Sequence, residues 1–600
     1  MENRDTAQAA PIYQGRPTEV IYQIYPATFC DSNNDGHGDL QGIISKLDYV
    51  RALNVDAIWL SPIYPSPSGP EGDGGYAVTD RRAINPDYGS MEDFRQLLCE
   101  AHKRNLRVYM DDVLPHTSDR HEWFKASVRR EEPYKDFYIW HDGHIVDGER
   151  RPPNNWLSVF GGGAWEWNDE RQQYYLHHFL KSQPALDLNN TVVQDAVLAD
   201  MKFWLDMGVD GFRYDSLSYA NYDPQFRDNP WMNDGRGWDS QYFAYSHCQP
   251  QTVELVARIR QLMDSYPDKK TTLGEVICGQ EGGRNPMPLA ARYVDRARGL
   301  DMCYTDAFRA IQYNTGHKYL QDLLRGFFTN FPEGGHCNAL SNHDSPRMAT
   351  HVGAQVPEAY REQALRQLMR LMAVLPGSLS LYQGEELGLP DAVVPRDIPH
   401  DRIKDPVAAT KGVEYCRDGS RTPMPWHSGS RNGGFTASET SYLPVADEHY
   451  HLAVNKQSQD PGSTLNFMKA LLSWRQQQPA LVQKSGNLSL VWQQQAQAAP
   501  RAEGFVNENA GQVLPTMAPI LAFTRRSPEQ TLLCVFNISS QSTMFKPADL
   551  LDQTTLNALG LSPDEIMRLP AYGSDFRGTM PPQQPTPNPA PCVKPACVCT

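Results

Sequence analysis

The chain has 600 residues, 40% of them hydrophobic and 21% charged, which is enough apolar surface for large cores and excludes a wholly disordered chain. Its 56 Lys and Arg against 71 Asp and Glu leave a net charge of −15, which excludes a phosphate backbone as partner, because such binding needs a basic field. There is no uncharged apolar run of about 18 residues and no apolar leader, so neither a membrane partner nor a secretory signal is expected; the 11 scattered cysteines suit reduced thiols and a cytoplasmic location.

Short apolar, β-rich runs alternate with amphipathic stretches from the start. Val20 to Tyr25 reads as a strand, and Ile43, Leu47, Val50 and Leu53 then recur at helical spacing. Asp56 to Leu60 is a second strand. Phe94, Leu97, Leu98 and Ala101 mark a second helix, with Ser90 as N-cap and Glu92 and Asp93 in its first turn. Leu106 to Val113 is a third strand. This alternation predicts a parallel sheet.

From about Leu114 to Asn190 the alternation stops, and Trp, Tyr, Asn, Pro and Gly dominate, as in Pro152-Pro153-Asn154-Asn155-Trp156 and Gly161-Gly162-Gly163. An insertion of this size reads as functional or as a small domain of its own. Helix and strand resume with Val192 to Met207 and Gly211 to Tyr214. Further strands are expected at Thr271 to Gly274, Leu300 to Tyr304, Cys337 to Leu340 and Ser378 to Tyr382. Eight strands in this pattern predict an α/β chain built on a (β/α)8 TIM barrel. Pro390 to Gly462 is a polar excursion, and Leu465, Met468, Leu471 and Leu472 suggest a closing helix. Leu488 to Trp492, Ile520 to Phe523 and Leu532 to Phe536 then read as antiparallel strands. The expected division is a barrel over 1–113 and 191–480, a loop-rich inserted domain over 114–190 above the active site, a C-terminal antiparallel β domain over 481–577, and a Pro-rich disordered tail over 578–600.

Charged residues gather at strand ends. Asp215 follows Gly211-Phe212-Arg213-Tyr214, Glu275 follows Leu273-Gly274, and Asp344 follows Ser341-Asn342-His343. In a barrel of parallel strands all these ends open on one face, where Arg213, His116 and His343 join them. Cleaving an acetal between sugars needs a proton on the leaving oxygen and negative charge beside a developing oxocarbenium ion. Arg213 is expected to keep Asp215 ionised, and a Glu275 crowded by carboxylates is expected to hold a proton.

These residues resemble the four sequence regions of the α-amylase family, glycoside hydrolase family 13: Gly211-Phe212-Arg213-Tyr214-Asp215, Gly274-Glu275, Asn342-His343-Asp344 and Asp111-Asp112-Val113-Leu114-Pro115-His116. Tyr22-Gln23-Ile24-Tyr25-Pro26, Pro153-Asn154-Asn155-Trp156, Gln183-Pro184 and Arg421-Thr422-Pro423-Met424-Pro425-Trp426 are similar to its α-glucosidase and oligo-1,6-glucosidase branch. The resemblance implies a retaining double displacement. Asp215 would be the nucleophile, Glu275 the acid and base, and Asp344 the transition-state stabiliser. His116, His343 and Arg213 would bind hydroxyls and carboxylates around the reacting ring. Asp73 and Tyr76 would hold the non-reducing glucose, and Arg417 and Arg421 would contact sugar or carboxylate. Pro115 and Ala185 depart from the family pattern, which implies altered loops or specificity. Ser216, a small residue after the nucleophile, tilts the expectation to α-1,4 bonds.

Asp31-Ser32-Asn33-Asn34-Asp35-Gly36-His37-Gly38-Asp39 puts oxygen donors on alternate residues, as a hard cation wants. An EF-hand would carry Glu at the twelfth position, where Gly42 stands. The resemblance implies one structural divalent cation here, Ca²⁺ or Mg²⁺, held by Asp31, Asn33, Asp35 and Asp39 and by the carbonyl of His37, with no organic cofactor. The resulting expectation is an exo-acting α-glucosidase on maltose, short maltooligosaccharides, sucrose or related glucosides, as a monomer or homodimer. An α-glucosyltransferase or sucrose isomerase on the same scaffold is the alternative; a non-catalytic transporter heavy chain, which would lack the acids and need an anchor, is a distant one.

Overall fold

The computed structural model describes residues 18–232, 241–277, 287–295, 297–305, 308, 322–324, 326–327, 329–331, 334–395, 397, 402–482, 488–490, 520–527, 529–537, 571–572 and 596–599. In chain order the first strands are β1 (Val20–Ile24), β2 (Ala57–Leu60) and β3 (Arg107–Asp112). Five short strands of the insertion follow: β4 (Trp140–His141), β5 (His144–Val146), β6 (Glu149–Arg151), β7 (Trp165–Asn168) and β8 (Gln173–Leu176). Then come β9 (Gly211–Tyr214), β10 (Thr271–Val276), β11 (Met302–Thr305), β12 (Cys337–Ala339) and β13 (Ser378–Tyr382). Eight of these form one parallel sheet in the order β11-β10-β9-β3-β2-β1-β13-β12. Among the described residues a parallel bridge, Cys303 to His336, joins its two edges, with the Cys303 N–H donating to the Gly335 carbonyl at 3.0 Å. The result is the (β/α)8 barrel expected from the alternation.

Both faces of the sheet are buried, so the strands read as continuous apolar runs. Val20, Tyr22, Ile58, Val108 and Phe212 pack toward the helices. Ile21, Ala57, Trp59, Tyr109, Leu273, Met302, Tyr304 and Cys337 form a separate cluster, the barrel interior. Side chains alternate with period two. Two residues beyond Ile21, Tyr109, Gly211 and Leu273, on the same inward face, come Gln23, Asp111, Arg213 and Glu275. The interior therefore turns from apolar to polar at the C-terminal ends of the strands. Gly211 has a steric reason: a Cβ there would lie 2.1 Å from the Thr271 carbonyl oxygen of β10.

The helices follow their capping signals. Over Met91–Lys103, Ser90 Oγ accepts from Asp93 N and Asp93 Oδ2 accepts from Ser90 N, a reciprocal cap. Thr191–Met207 starts at Asn190 and ends at Gly208, whose φ of 112° is left-handed. The stretch expected as one helix around Ile43 to Leu53 is two, Leu40–Ser45 and Leu47–Ala52, broken at Lys46, with all four expected apolar residues buried. The closing helix is Thr464–Gln476.

Within the insertion, β4, β8 and β7 form a three-stranded antiparallel sheet, and β5 and β6 a hairpin. Asn155 Nδ2 donates to the Asn229 carbonyl at 2.9 Å, and the Asn229 N–H donates back to Asn155 Oδ1 at 2.8 Å, which clips the insertion to the segment after β9. Ala185 packs with Ile139, Trp156, Trp165, Leu176 and Tyr222, where a carboxylate would be stranded without water. Toward the C-terminus, β14 (Leu488–Leu490), β15 (Ile520–Arg526), β16 (Thr531–Asn537), β17 (Ala571–Tyr572) and β18 (Ala596–Cys599) form an antiparallel sheet in the order β14-β15-β16-β18-β17. The strand expected to Trp492 is described as far as Leu490.

Two expectations change. The tail expected to be disordered over 578–600 contains a strand at Ala596–Cys599, pairing with β16 and β17; this stretch has no proline, so every residue can donate to a ladder, and the rest of the tail lies outside the described residues. Cys248 is disulfide-bonded, where only reduced thiols were expected. No helix among the described residues is long and apolar enough to cross a membrane.

Candidate active site

Arg213 is the hub of the polar end of the barrel. Its side chain has no solvent exposure. Nη1 contacts Asp111 Oδ1 at 2.8 Å and Asp215 Oδ1 at 2.6 Å, and Nη2 contacts Glu275 Oε2 at 2.7 Å. Three carboxylates from three adjacent strands thus share one guanidinium. Ser216, immediately after Asp215, has a left-handed φ of 45°, and its N–H donates to Glu275 Oε2 at 2.8 Å. The bend that ends β9 therefore also ties the two expected catalytic carboxylates together.

On the far side of Asp111, Trp59 Nε1 and the Tyr76 hydroxyl donate to Asp111 Oδ2 at 3.1 and 3.0 Å. Tyr76 lies 2.7 Å from His343 Nε2, and Gln23 Nε2 lies 2.7 Å from His343 Nδ1. Because the Tyr76 proton goes to the carboxylate, its oxygen accepts from His343 Nε2–H, and the Gln23 amide donates to Nδ1. The rings of Tyr76 and His343 stack with an interplanar angle of 2°. His116 Nε2 donates to the Tyr76 carbonyl at 3.0 Å, which leaves its buried Nδ1 with no protein partner. Burial pushes His116 down to about 4 and His343 to about 3, so both are neutral rings.

Asp344 closes the constellation opposite. Its side chain is 22% exposed, the most open of the three expected catalytic carboxylates. Oδ1 takes Arg417 Nη1 at 2.6 Å and Arg421 Nη2 at 2.8 Å, and Oδ2 lies 3.1 Å from His343 Nε2. Both arginines thus point inward. Arg417 Nη2 reaches on to Asp73 Oδ1 at 3.0 Å and to Asp405 Oδ1 at 2.6 Å, and Gln183 Nε2 donates to Asp73 Oδ2 at 3.1 Å. Asp73, Gln183, Arg417 and Asp405 form a partition beside Asp344. Tyr76, Asp73, His116, His343, Arg213, Arg417 and Arg421 all fall in this one network with Asp215, Glu275 and Asp344.

The charges are unevenly held. Burial works against ionisation of Asp344, yet Arg417 and Arg421, with the His343 contact beside them, outweigh it and hold this carboxyl well below the usual range. Burial pushes Asp111 up to about 7 against the pull of Arg213. Asp215 is also pushed well above the usual range by burial, with Glu275, Asp111 and Asp344 adding to it and Arg213 opposing. The expectation that Arg213 keeps Asp215 ionised is therefore corrected for the empty site: one positive charge is divided among three carboxylates.

The loop expected to hold a cation folds onto its own backbone. Asp31 accepts from the amides of Asn33, Asn34 and Gly36, and Asp39 from Ser32 and from Gly42 as the cap of Leu40–Ser45. Asn33 Nδ2 donates to Asp35 Oδ2, Asn33 Oδ1 accepts from Asp35 N, and Asp35 Oδ1 accepts from His37 N. The His37 ring packs on Tyr88 and Tyr442, so only its carbonyl is left for a metal. Among the described residues no three His, Cys, Asp or Glu converge as a ready metal cage. The donors are nonetheless all oxygens of the kind a hard cation takes, and lone pairs remain on the exposed Asn33 and Asp35. Gly42 is where an EF-hand glutamate cannot stand: a Cβ there would lie 1.9 Å from the Cys30 carbonyl.

Four contributors escaped the sequence reading as site residues. Asp111 and Gln183 lay inside quoted motifs without a role. Asp405 sits in the irregular excursion, with no periodicity to mark it. Tyr304, whose hydroxyl lies 2.6 Å from Arg213 Nη2 and 2.7 Å from Glu275 Oε1, looked like any aromatic of a buried strand.

The chain matches the family model "Alpha amylase, catalytic domain" over residues 23–484. It is 36% identical to a probable alpha-glucosidase of Rhizobium meliloti, over 93% of this chain and 96% of that protein. It is likewise 36% identical to the oligo-1,6-glucosidase of Parageobacillus thermoglucosidasius, over 78% and 85%. Among solved structures it resembles an alpha-glucosyl transfer enzyme at a TM-score of 0.75 and 38% identity, covering 88% of this chain and 92% of the other. A trehalulose synthase superposes at 0.73 and 30%, with the same coverage.

Proposed function

The chain belongs to the α-amylase family, and on that premise we propose that it is a retaining, exo-acting α-glucosidase that releases glucose from the non-reducing end of maltose, short maltooligosaccharides, sucrose or related glucosides. The observation that carries this reading is the grip of one guanidinium on Asp215 and Glu275, with Asp344 opposite. Contacts of 2.6 and 2.7 Å to one guanidinium gather the two carboxylates at one place, as a double displacement asks of its nucleophile and its acid.

Asp215 attacks the anomeric carbon as the bond to the leaving oxygen breaks, and Glu275 delivers its proton to that oxygen. The product is a β-glucosyl ester on Asp215. Glu275, now a carboxylate, takes a proton from water, whose oxygen attacks the same carbon and frees Asp215 with net retention. In the empty site burial holds Asp111 and Asp215 above the usual carboxylate range against the pull of Arg213. A substrate places its leaving oxygen at Glu275 and its anomeric carbon at Asp215, and so draws proton and charge to those two positions. Asp344, kept ionised by its arginines, is suited to grip ring hydroxyls and to face the oxocarbenium ion. His116 Nδ1, a buried acceptor without a partner, is suited to take a sugar hydroxyl. The Asp73–Arg417–Asp405 ion pairs stand beside Asp344, where the resemblance puts the non-reducing glucose, which supports exo action.

Hydrolysis of an aryl α-glucoside, maltose, isomaltose and sucrose, followed by NMR, tests the reading. Glucose appearing first as the α-anomer is expected, with maltose ahead of isomaltose; first appearance as the β-anomer, or no glucose, overturns it. The transferase and isomerase neighbours favour one alternative, which differs only in what attacks the ester, and rearranged or elongated products in place of glucose would establish it. We also propose one structural Ca²⁺ or Mg²⁺ at Asp31, Asn33, Asp35, the His37 carbonyl and Asp39, on the strength of their oxygen chemistry. A cytoplasmic location is proposed on the reduced thiols Cys30, Cys99, Cys337 and Cys416, against which the disulfide at Cys248 weighs, and a monomer or homodimer is the proposed state; cell fractionation and light scattering check the two.

A further inference from the structure

Tyr304 stands on β11 with its side chain in the barrel interior, 4% exposed, between the residues that handle charge in the proposed reaction. Its oxygen lies 2.6 Å from Arg213 Nη2 and 2.7 Å from Glu275 Oε1. The polarity of these contacts is forced. A guanidinium can only donate, so the phenol oxygen accepts from Arg213 and the phenol proton goes to Glu275. Burial, with Glu275 adding to it, pushes the Tyr304 hydroxyl well above the usual phenol range, so it keeps that proton at working pH. Glu275 Oε2 meanwhile accepts Arg213 Nη2 at 2.7 Å and the Ser216 N–H at 2.8 Å. All three contacts described for the Glu275 carboxyl are donors, and donors favour the carboxylate over the acid.

The two half-reactions ask opposite things of Glu275. Forming the glucosyl ester needs a proton on it; hydrolysing the ester needs it ionised. Resting on the glucosidase reading, we propose that Tyr304 is a positioning residue that holds Glu275 turned inward as the ready base, speeding hydrolysis of the ester and narrowing the alkaline reach of the first step. The charged and titratable groups facing Glu275 among the described residues are Arg213 and Asp215 from β9 and its end, Asp111 from β3 and Tyr304 from β11. Asp111 and Asp215 disfavour a charge on Glu275. Arg213 favours it but divides itself among all three carboxylates. Tyr304 is the side-chain donor that serves Glu275 alone.

Tyr304→Phe removes the hydroxyl and little else. With an aryl α-glucoside, the alkaline limb of the kcat/KM profile is expected to move up by about one pH unit. kcat is expected to fall roughly tenfold, and a burst of aryl alcohol to appear as the ester accumulates. Replacing Tyr304 with 3-fluorotyrosine, a stronger donor, should move the limb the other way, and it tests the role even where the Phe variant folds poorly. An active parent chain whose two variants both keep the parental limb, or lose kcat/KM uniformly at every pH, overturns the role of Tyr304 alone. A parent that releases no glucose from the aryl glucoside overturns the glucosidase reading and this role with it.

Discussion

In the proposed mechanism Asp215 is the residue on which the covalent route depends. Asp215→Asn keeps the shape and the Arg213 contact but forfeits the nucleophile, so turnover of an aryl α-glucoside is expected to fall by roughly 10⁴-fold or more, with the circular dichroism unchanged. Glu385, after β13, offers a separate test because it is buried and lies outside the catalytic network. Burial pushes its carboxyl up to about 7, against the Tyr382 amide and Ser341 hydroxyl that donate to it. A raised carboxyl is protonated in the folded chain where the unfolded chain has already ionised, so its contribution to stability falls as pH rises from about 4.5 through about 7. Glu385→Gln, which keeps an acceptor for both donors, is expected to leave Tm unchanged near pH 5 and raise it near pH 8, by up to about 3 kcal/mol of stability. At this scale the sequence was most legible where polar residues interrupt buried strands: Arg213 in Gly211–Tyr214 and Glu275 at the end of an apolar run could only be there for a reason. Tyr304 carried no such mark. A tyrosine in an apolar strand is ordinary, and only the register of β10 against β11, which sets Tyr304 opposite Glu275, brings its hydroxyl there.

Elements were legible as far as local periodicity reached. All eight barrel strands lie where alternation put them, within two residues at each end. The helix around Leu47 broke in two because its apolar spacing is the same for one straight helix and for two short ones meeting at Lys46. The excursion over 390–462 has no period, so nothing in its order announced that Asp405, Arg417 and Arg421 reach Asp344 and its partition. One strand offers a direct test. Because a Cβ at position 211 would meet the Thr271 carbonyl at 2.1 Å, Gly211→Ala must push β9 from β10. A loss of about 1–3 kcal/mol in urea unfolding is expected, together with a fall in kcat, since Arg213 and Asp215 ride on the same strand.

For the molecule as a whole, the loop of Asp31 to Asp39 is the other long-range tie. Its carbonyls and amides meet the excursion after β13, where Asp31 N donates to the Phe435 carbonyl at 3.0 Å and Tyr442 N to that of Gly36 at 2.6 Å. A cation bound there would fasten both segments. Adding Ca²⁺ or Mg²⁺ to chelator-treated protein is therefore expected to raise Tm by several degrees, which corresponds to about 1–3 kcal/mol, and Asp35→Ala to abolish the gain. No response in the parent chain would remove the cation from the account.

The Cys303–His336 bridge has a different consequence. Seven of the barrel's junctions are ladders of three or more pairs, and among the described residues the eighth is marked by this one bridge and the Thr305–His336 contact. Mechanically the hoop is a belt with its buckle there. Deuterium should enter the amides of β11 and β12 before those of β2 and β3, and a barrel that breathes at its buckle loosens first the strand that bears Tyr304. Heat or denaturant would then silence the enzyme while most of its staves still stand together.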